Sequence, residues 1–66
     1  MLTNQEKINI INTRINILNI EIEAINKSLE VYYGENLDEK IEIFLKILDN
    51  FKLKKDALTS LKDDLQ

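Results

Sequence analysis

A seven-residue repeat of apolar side chains runs through the first half of this chain and limits the folds that it can adopt. Residues 8–35 divide into INIINTR, INILNIE, IEAINKS and LEVYYGE, with apolar residues in the first, third and fourth places of each unit. Isoleucine and asparagine alternate locally as in a strand, but the parity slips once in each unit, which a strand with one buried face does not tolerate. The repeat therefore predicts an amphipathic helix whose first and fourth positions form its core-facing stripe.

Capping signals place the ends of two helices. Thr3 and Glu6 form a T-x-x-E capping box ahead of the repeat, and Gly34 suits the left-handed position that closes a helix. Asn36 followed by Glu39 is a second start signal of the same kind, and no proline or glycine follows it. The predicted elements are helix one at about 4–33, a turn at about 34–35 and helix two at about 36–65.

The second helix carries its own apolar stripe, so the two helices can pack against each other. Its large apolar residues recur at an interval of seven, at Leu37, Phe44, Phe51, Leu58 and Leu65. Two long helices joined by so short a turn fold back as an antiparallel hairpin, and we predict one all-α domain over residues 1–66. A core of this size is marginal and the chain has no cysteine for a disulfide. We therefore expect the hairpin to dimerise into a four-helix bundle.

Apolar residues outside these stripes indicate a surface for another chain. The third position of the repeat is apolar in every unit, although it lies about 100° around the helix from the fourth position. Such side chains gain free energy when a partner buries them. We predict that they contact a second copy of the chain, a host or regulatory protein, or both. The predicted interface residues are Ile10, Ile17, Ile20, Val31, Ile43, Leu45 and Leu53.

Two tyrosines flank the predicted turn. Tyr32 and Tyr33 precede Gly34 directly. An exposed tyrosine at the tip of a hairpin is a candidate contact for a partner. The alternative is that the rings close the end of the apolar seam and keep only their hydroxyl groups in water.

A column of asparagines on helix one offers an alternative, RNA-binding interpretation. Amide groups can hydrogen-bond to bases and phosphates, and a few cations lie on the same helix. The alternative is a solvated flank in an asparagine-biased proteome, because isoleucine, asparagine and lysine make up 27 of the 66 residues, a bias typical of an AT-rich genome such as that of a phage. The residues of this alternative RNA face are Asn12, Arg14, Asn19, Asn26 and Lys27.

Lysines are concentrated in the second half of helix two, at positions 46, 52, 54, 55 and 62. Their stems can cover apolar surface while the ammonium groups reach water. Asp49, Asp56 and Asp63 are spaced to pair with them along the helix. We therefore expect a solvated, charge-balanced surface here, with a phosphate-binding patch as the alternative.

The composition argues against catalysis and against a membrane protein. The chain has no histidine, no cysteine and no glycine-rich loop, so we predict no catalytic, metal-binding or cofactor-binding residues and no enzyme activity. Its net charge of −3 is mild and has the wrong sign for an obvious nucleic-acid binder. No apolar run exceeds three residues, which predicts neither a membrane span nor a signal peptide. We expect a cytoplasmic protein of the producing or host cell.

The hairpin plan, the length and the opening T-x-Q-E-K resemble the Rop family of small RNA-binding regulators of plasmid copy number. The matching residues are Thr3, Gln5, Glu6 and Lys7. The resemblance implies a dimeric four-helix architecture. Proteins of that family bind RNA through a basic face on their first helices, whereas the first helix here has only three cations, so the resemblance does not extend to RNA binding.

These observations predict a small non-enzymatic protein-binding module, acting as an adaptor, an inhibitor or a regulator through apolar helix faces. One alternative is an RNA-binding regulator that uses the asparagine-rich face of helix one. The other is a purely structural coiled-coil protein that serves assembly. The sequence names no partner.

Overall fold

The computed structural model describes all 66 residues, and they form two helices that pack side by side. Helix α1 spans Asn4–Gly34 and helix α2 spans Asp38–Leu65, with no strand. The molecule measures 50 × 16 × 15 Å, so it is a rod of two antiparallel helices. The helical hairpin predicted from the heptad repeat is confirmed. Neither helix contains a segment that is long and apolar enough to cross a membrane.

The core is a narrow seam between the two helices. Five of its six buried residues lie on α1 at the first or fourth position of the repeat, and Leu48 is the single buried residue of α2. Ile25, Leu29 and Leu48 form the central cluster. No side chain is completely enclosed, so each buries less than a full core residue would. The half-buried residues packed around the cluster are Ile22, Ile41, Phe44, Ile47 and Phe51.

The predicted capping box at the start of α1 is confirmed. The Thr3 hydroxyl oxygen accepts a hydrogen bond from the Glu6 backbone N–H at 3.1 Å, and the Glu6 carboxylate accepts one from the Thr3 N–H at 3.0 Å. These bonds satisfy two backbone donors that the helix itself leaves unpaired. The hydrogen bond from the Thr3 backbone, followed by that with its side chain, lowers the pKa of Glu6 below its usual 4.5.

The capping box predicts a small loss of stability in acid. Because the pKa of Glu6 is lower in the folded chain than in the unfolded chain, its contribution is present above pH 4.5 and is lost as the pH falls through the folded pKa. We expect the wild type to melt at a higher temperature than Glu6→Gln at pH 7, and this difference should shrink as the pH is lowered towards 2. Thermal melts followed by circular dichroism measure this, and an equal difference at both pH values would contradict it.

The turn is built differently from its sequence prediction. Gly34 has no positive φ and is the last residue of α1, whereas Asn36 adopts the left-handed conformation with φ 57°. The Leu37 N–H donates to the Tyr32 carbonyl at 3.0 Å and the Asn36 N–H to the Tyr33 carbonyl at 3.3 Å, which is a Schellman motif.

Asn36 therefore ends α1 and does not begin α2. The predicted cap by Asn36 is wrong, because a left-handed residue cannot take the extended conformation of an N-cap. Leu37 occupies the N-cap position, with no side-chain hydrogen bond. Asparagine tolerates the left-handed region better than other residues with a Cβ atom, so it replaces the expected glycine. Helix α2 consequently begins about two residues later than predicted.

Alanine substitutions at the two turn positions should have opposite effects. Gly34→Ala is expected to stabilise the hairpin by about 0.5–1 kcal/mol, because this residue is helical and an added Cβ would meet no atom within 4 Å. Asn36→Ala should cost about 1 kcal/mol, because alanine is strained at a positive φ. Chemical denaturation of both variants measures this. Asn36→Gly is the control and should not destabilise, and the reverse order of the alanine variants would contradict the assigned turn.

Candidate functional site

All seven residues predicted to form an interface are exposed. Their relative exposure ranges from 39% at Leu45 to 69% at Ile20. The hairpin therefore leaves them uncovered, and their role as an interface stays a prediction. The structure further shows that they do not share one surface.

All four third-position residues of the α1 repeat lie on one side of the hairpin. An open groove of about 350 Å³ is lined by Arg14, Ile17 and Leu18 of α1 and by Lys54 and Leu58 of α2, which places Ile17 and Lys54 on the same side. Residues 7, 11 or 14 positions apart share a helix face, so the rest of this side follows from Ile17 and Lys54. We call this surface the isoleucine face: Ile10, Ile17, Ala24, Val31, Ile43 and Leu61.

The isoleucine face extends along nearly the whole rod. All six of its members are exposed, among them Ile17 at 49% and Ile43 at 55%. Leu61 was not among the predicted interface residues, although it is 50% exposed. The interval of seven from Lys54 to Leu61 was the signal that could have located it.

The opposite side of the hairpin carries a second groove, near the turn. Leu45 lies here, separated from Ile43 of the isoleucine face. Ile20 and Leu53 belong to neither groove, and their helical phase directs them away from the core on the outer sides of their helices. We call this second surface the tip groove, and it is lined by Asn26, Leu29, Glu30, Tyr33, Leu45 and Leu48.

The two tyrosines at the turn differ in exposure: one closes the end of the apolar seam and the other is open to a partner. Tyr32 is half-buried and its ring packs edge-on against Phe44, with 5.0 Å between ring centroids. The Lys40 ammonium lies 5.5 Å from the centroid of the same ring. Tyr32 thus closes the end of the seam. Tyr33 is 54% exposed and lines the tip groove, where a partner can reach it.

The structure does not bring the five residues of the alternative RNA face together. Asn26 lines the tip groove and Asn12 and Asn19 share its side by helical phase, but Arg14 lines the groove on the opposite side. Lys27 is held by Glu23 in an exposed ion pair at 3.6 Å. The asparagine column therefore lacks Arg14, and its other assigned cation, Lys27, is paired with a carboxylate.

Lysines of α2 lie beside the asparagine column instead. Lys55 and Lys62 follow Leu48 at intervals of seven and Lys52 follows Leu45 at the same interval, so all three share the side of the tip groove. Lys55 and Lys62 are half-buried, which fits stems lying over the seam. We call this surface the amide–lysine face: Asn12, Asn19, Lys52, Lys55 and Lys62.

The lysines of this face have no ion-pair partners. The two salt bridges of the molecule join Lys27 to Glu23 and Lys46 to Glu42 at 3.6 and 3.5 Å. The expected pairing with the aspartates at 49, 56 and 63 is absent. Sequence analysis missed the amide–lysine face because it considered the cations of each helix separately, although the antiparallel hairpin brings both columns to one side.

The structure contains no group of three or more side chains that could hold a metal ion. Comparison of the chain with protein-family models, with curated protein sequences and with solved structures finds no match. The candidate binding surfaces of the molecule are the isoleucine face, the tip groove and the amide–lysine face.

Proposed function

We propose that this chain is a small non-enzymatic protein-binding module that acts as an adaptor, an inhibitor or a regulator through its apolar helix faces. In this proposal two hairpins associate through their isoleucine faces into a four-helix bundle. The observation that carries the proposal is the isoleucine face itself. It exposes six apolar side chains on a molecule that buries only six.

The surface area of the hairpin supports association. A folded monomer of 7.8 kDa is expected to expose about 4,400 Å². The hairpin exposes 5048 Å². A stable interface buries about 800 Å² on each partner, a loss that would bring the exposed area of each hairpin to the level of an ordinary small domain.

The tip groove is the proposed docking site for a second protein. It lies on the side opposite to the isoleucine face, so it stays open in a bundle made through that face. Leu45 and Tyr33 offer exposed apolar and aromatic surface, and Glu30 provides a charge at its edge. Aromatic anchors of this kind are common at the energetic centres of protein interfaces.

Affinity purification from the native cell tests this function. The wild-type protein and Leu45→Glu serve as baits at low and at high salt, and captured proteins are identified by mass spectrometry. We expect a protein that the wild type retains at high salt, because burial of apolar area is not screened, and that Leu45→Glu loses. Leu53→Glu places the same charge on the outer side of α2 and should retain that protein. Recovery of the bait alone, or equal capture by Leu45→Glu, would contradict the proposal.

The second candidate function is RNA binding through the amide–lysine face. The observation in its favour is that Lys52, Lys55 and Lys62 lie without ion-pair partners beside the column of Asn12 and Asn19. Each lysine that contacts a phosphate releases a counterion. Three lysines on a chain of net charge −3 supply little of the affinity that a specific complex needs.

We predict that the protein forms no specific RNA complex at physiological salt. Three phosphate contacts would weaken binding roughly 40-fold between about 50 and 200 mM salt, so any association at low salt should disappear. Gel-shift titrations with structured RNA at both salt concentrations measure this. A tight complex that is lost in Asn12→Ala or Lys55→Ala and kept in Ile17→Glu would promote the RNA-binding function over the protein-binding one.

A further inference from the structure

The side-chain charges of the hairpin are distributed unevenly along its length. The turn half, residues 19–50, has eight carboxylates and three lysines and therefore a net charge of −5. The terminal half, residues 1–18 and 51–66, has four carboxylates and six cations and a net charge of +2. Both helices run along the 50 Å axis, so this division separates one end of the rod from the other.

We propose that the isoleucine face is covered by a second copy of this chain that lies antiparallel to the first. The inference rests on the proposed association through that face and adds its orientation. An antiparallel pair places each turn half against the terminal half of the other copy, which has the opposite charge. A parallel pair would place the two turn halves together, with −5 against −5.

The charges are close enough in such a bundle to select the orientation. Packed helices lie 8–10 Å apart, and the Debye length at physiological ionic strength is about 8 Å. Salt therefore screens charges on adjacent helices only in part, whereas it screens charges at opposite ends of the 50 Å rod almost completely. Complementary potentials of this kind fix the orientation of an interface more than they raise its affinity.

The isoleucine face also satisfies the symmetry that a second copy requires. A two-fold interface must be self-complementary, so each position meets the position equally far from the midpoint of the other copy. The midpoint of α1 is near Asn19, with Ile10 and Ile17 before it and Ala24 and Val31 after it. Apolar residues thus lie on both sides of the axis.

Two cross-copy contacts follow from this placement. The midpoint of α2 lies between residues 51 and 52, so Ile43 of one copy comes level with residue 60 of the other, directly beside Leu61. Arg14, on the same side as Ile17, comes level with position 24 of the other copy, one turn from Glu21. These two side chains have opposite charges and are long enough to meet across that turn. The antiparallel arrangement therefore pairs apolar with apolar residues and cation with carboxylate.

Spin-label distances determine the orientation. The chain has no cysteine, so Glu35→Cys gives one label on each copy, at the exposed turn. The antiparallel pair predicts an inter-label distance close to the 50 Å length of the rod. A parallel pair predicts roughly 10–25 Å, the width of neighbouring helices. Pulsed electron paramagnetic resonance distinguishes the two ranges.

Asn19→Cys is the matched control, because a label at the midpoint of α1 gives about 20–30 Å in either orientation. A long Glu35 distance together with a short Asn19 distance supports the antiparallel pair. Short distances at both positions would overturn the orientation and leave the proposed association intact. No dipolar coupling at either position, with a 7.8 kDa mass, would overturn the association itself.

Discussion

Ile17→Glu is expected to convert the proposed dimeric bundle into separate hairpins. Ile17 lies near the middle of the isoleucine face and is 49% exposed in the single hairpin, so the substitution damages the interface and spares the seam. The interface would bury only the half of Ile17 that the hairpin leaves exposed, so each copy would lose about 0.7–1.5 kcal/mol of apolar burial, and a two-fold interface contains the residue twice. The dissociation constant should therefore rise at least about 10-fold. Analytical ultracentrifugation over a range of concentrations measures the change.

Ile20→Glu is the matched control for this prediction. It introduces the same charge on the same helix, three residues further along, at a position that is 69% exposed on the outer side of α1. We expect its dissociation constant to equal that of the wild type. Equal weakening by both variants would mean that the isoleucine face is not the interface, and circular dichroism would verify that both remain helical.

Leu48→Ala is expected to remove most of the free energy that stabilises the folded hairpin. Leu48 is the single buried residue of α2 and contacts the central cluster with Ile25 and Leu29. Truncating a buried leucine costs about 2–5 kcal/mol, a large part of the stability of a small domain. We expect the melting temperature to fall by at least about 10 °C at a fixed protein concentration.

The control for this truncation is Leu53→Ala on the same helix. Leu53 is 67% exposed, so removing the same atoms should shift the melting temperature by no more than a few degrees. Similar shifts of the melting temperature in the two variants would show that packing in the seam is not what stabilises the hairpin.

The helical hairpin could be predicted from the sequence because many residues of the heptad repeat indicate the same pattern. Every buried residue of α1 lies at the first or fourth position of the repeat, and the capping box forms as Thr3 and Glu6 indicate. Errors in single residues hardly alter such a pattern. The turn was harder to predict, because Gly34 and Asn36 can both supply a left-handed residue and the sequence does not say which one does.

The surfaces were only partly predictable, because they combine residues of two helices. Exposure of the seven interface candidates follows from helical phase within one helix. The separation of Leu45 from Ile43, and the approach of Lys55 and Lys62 to the asparagine column, depend on how α2 is rotated against α1. Leu48 fixes that rotation through its packing in the central cluster, which a single-helix pattern does not contain.

The molecular mass in solution tests the central proposal most directly. Size-exclusion chromatography with multi-angle light scattering at tens of micromolar should give twice the 7.8 kDa mass of one chain. The same sample should be fully helical by circular dichroism. A monodisperse 7.8 kDa species with full helix content would contradict the proposed dimer, because the hairpin would then be stable with its isoleucine face exposed to water.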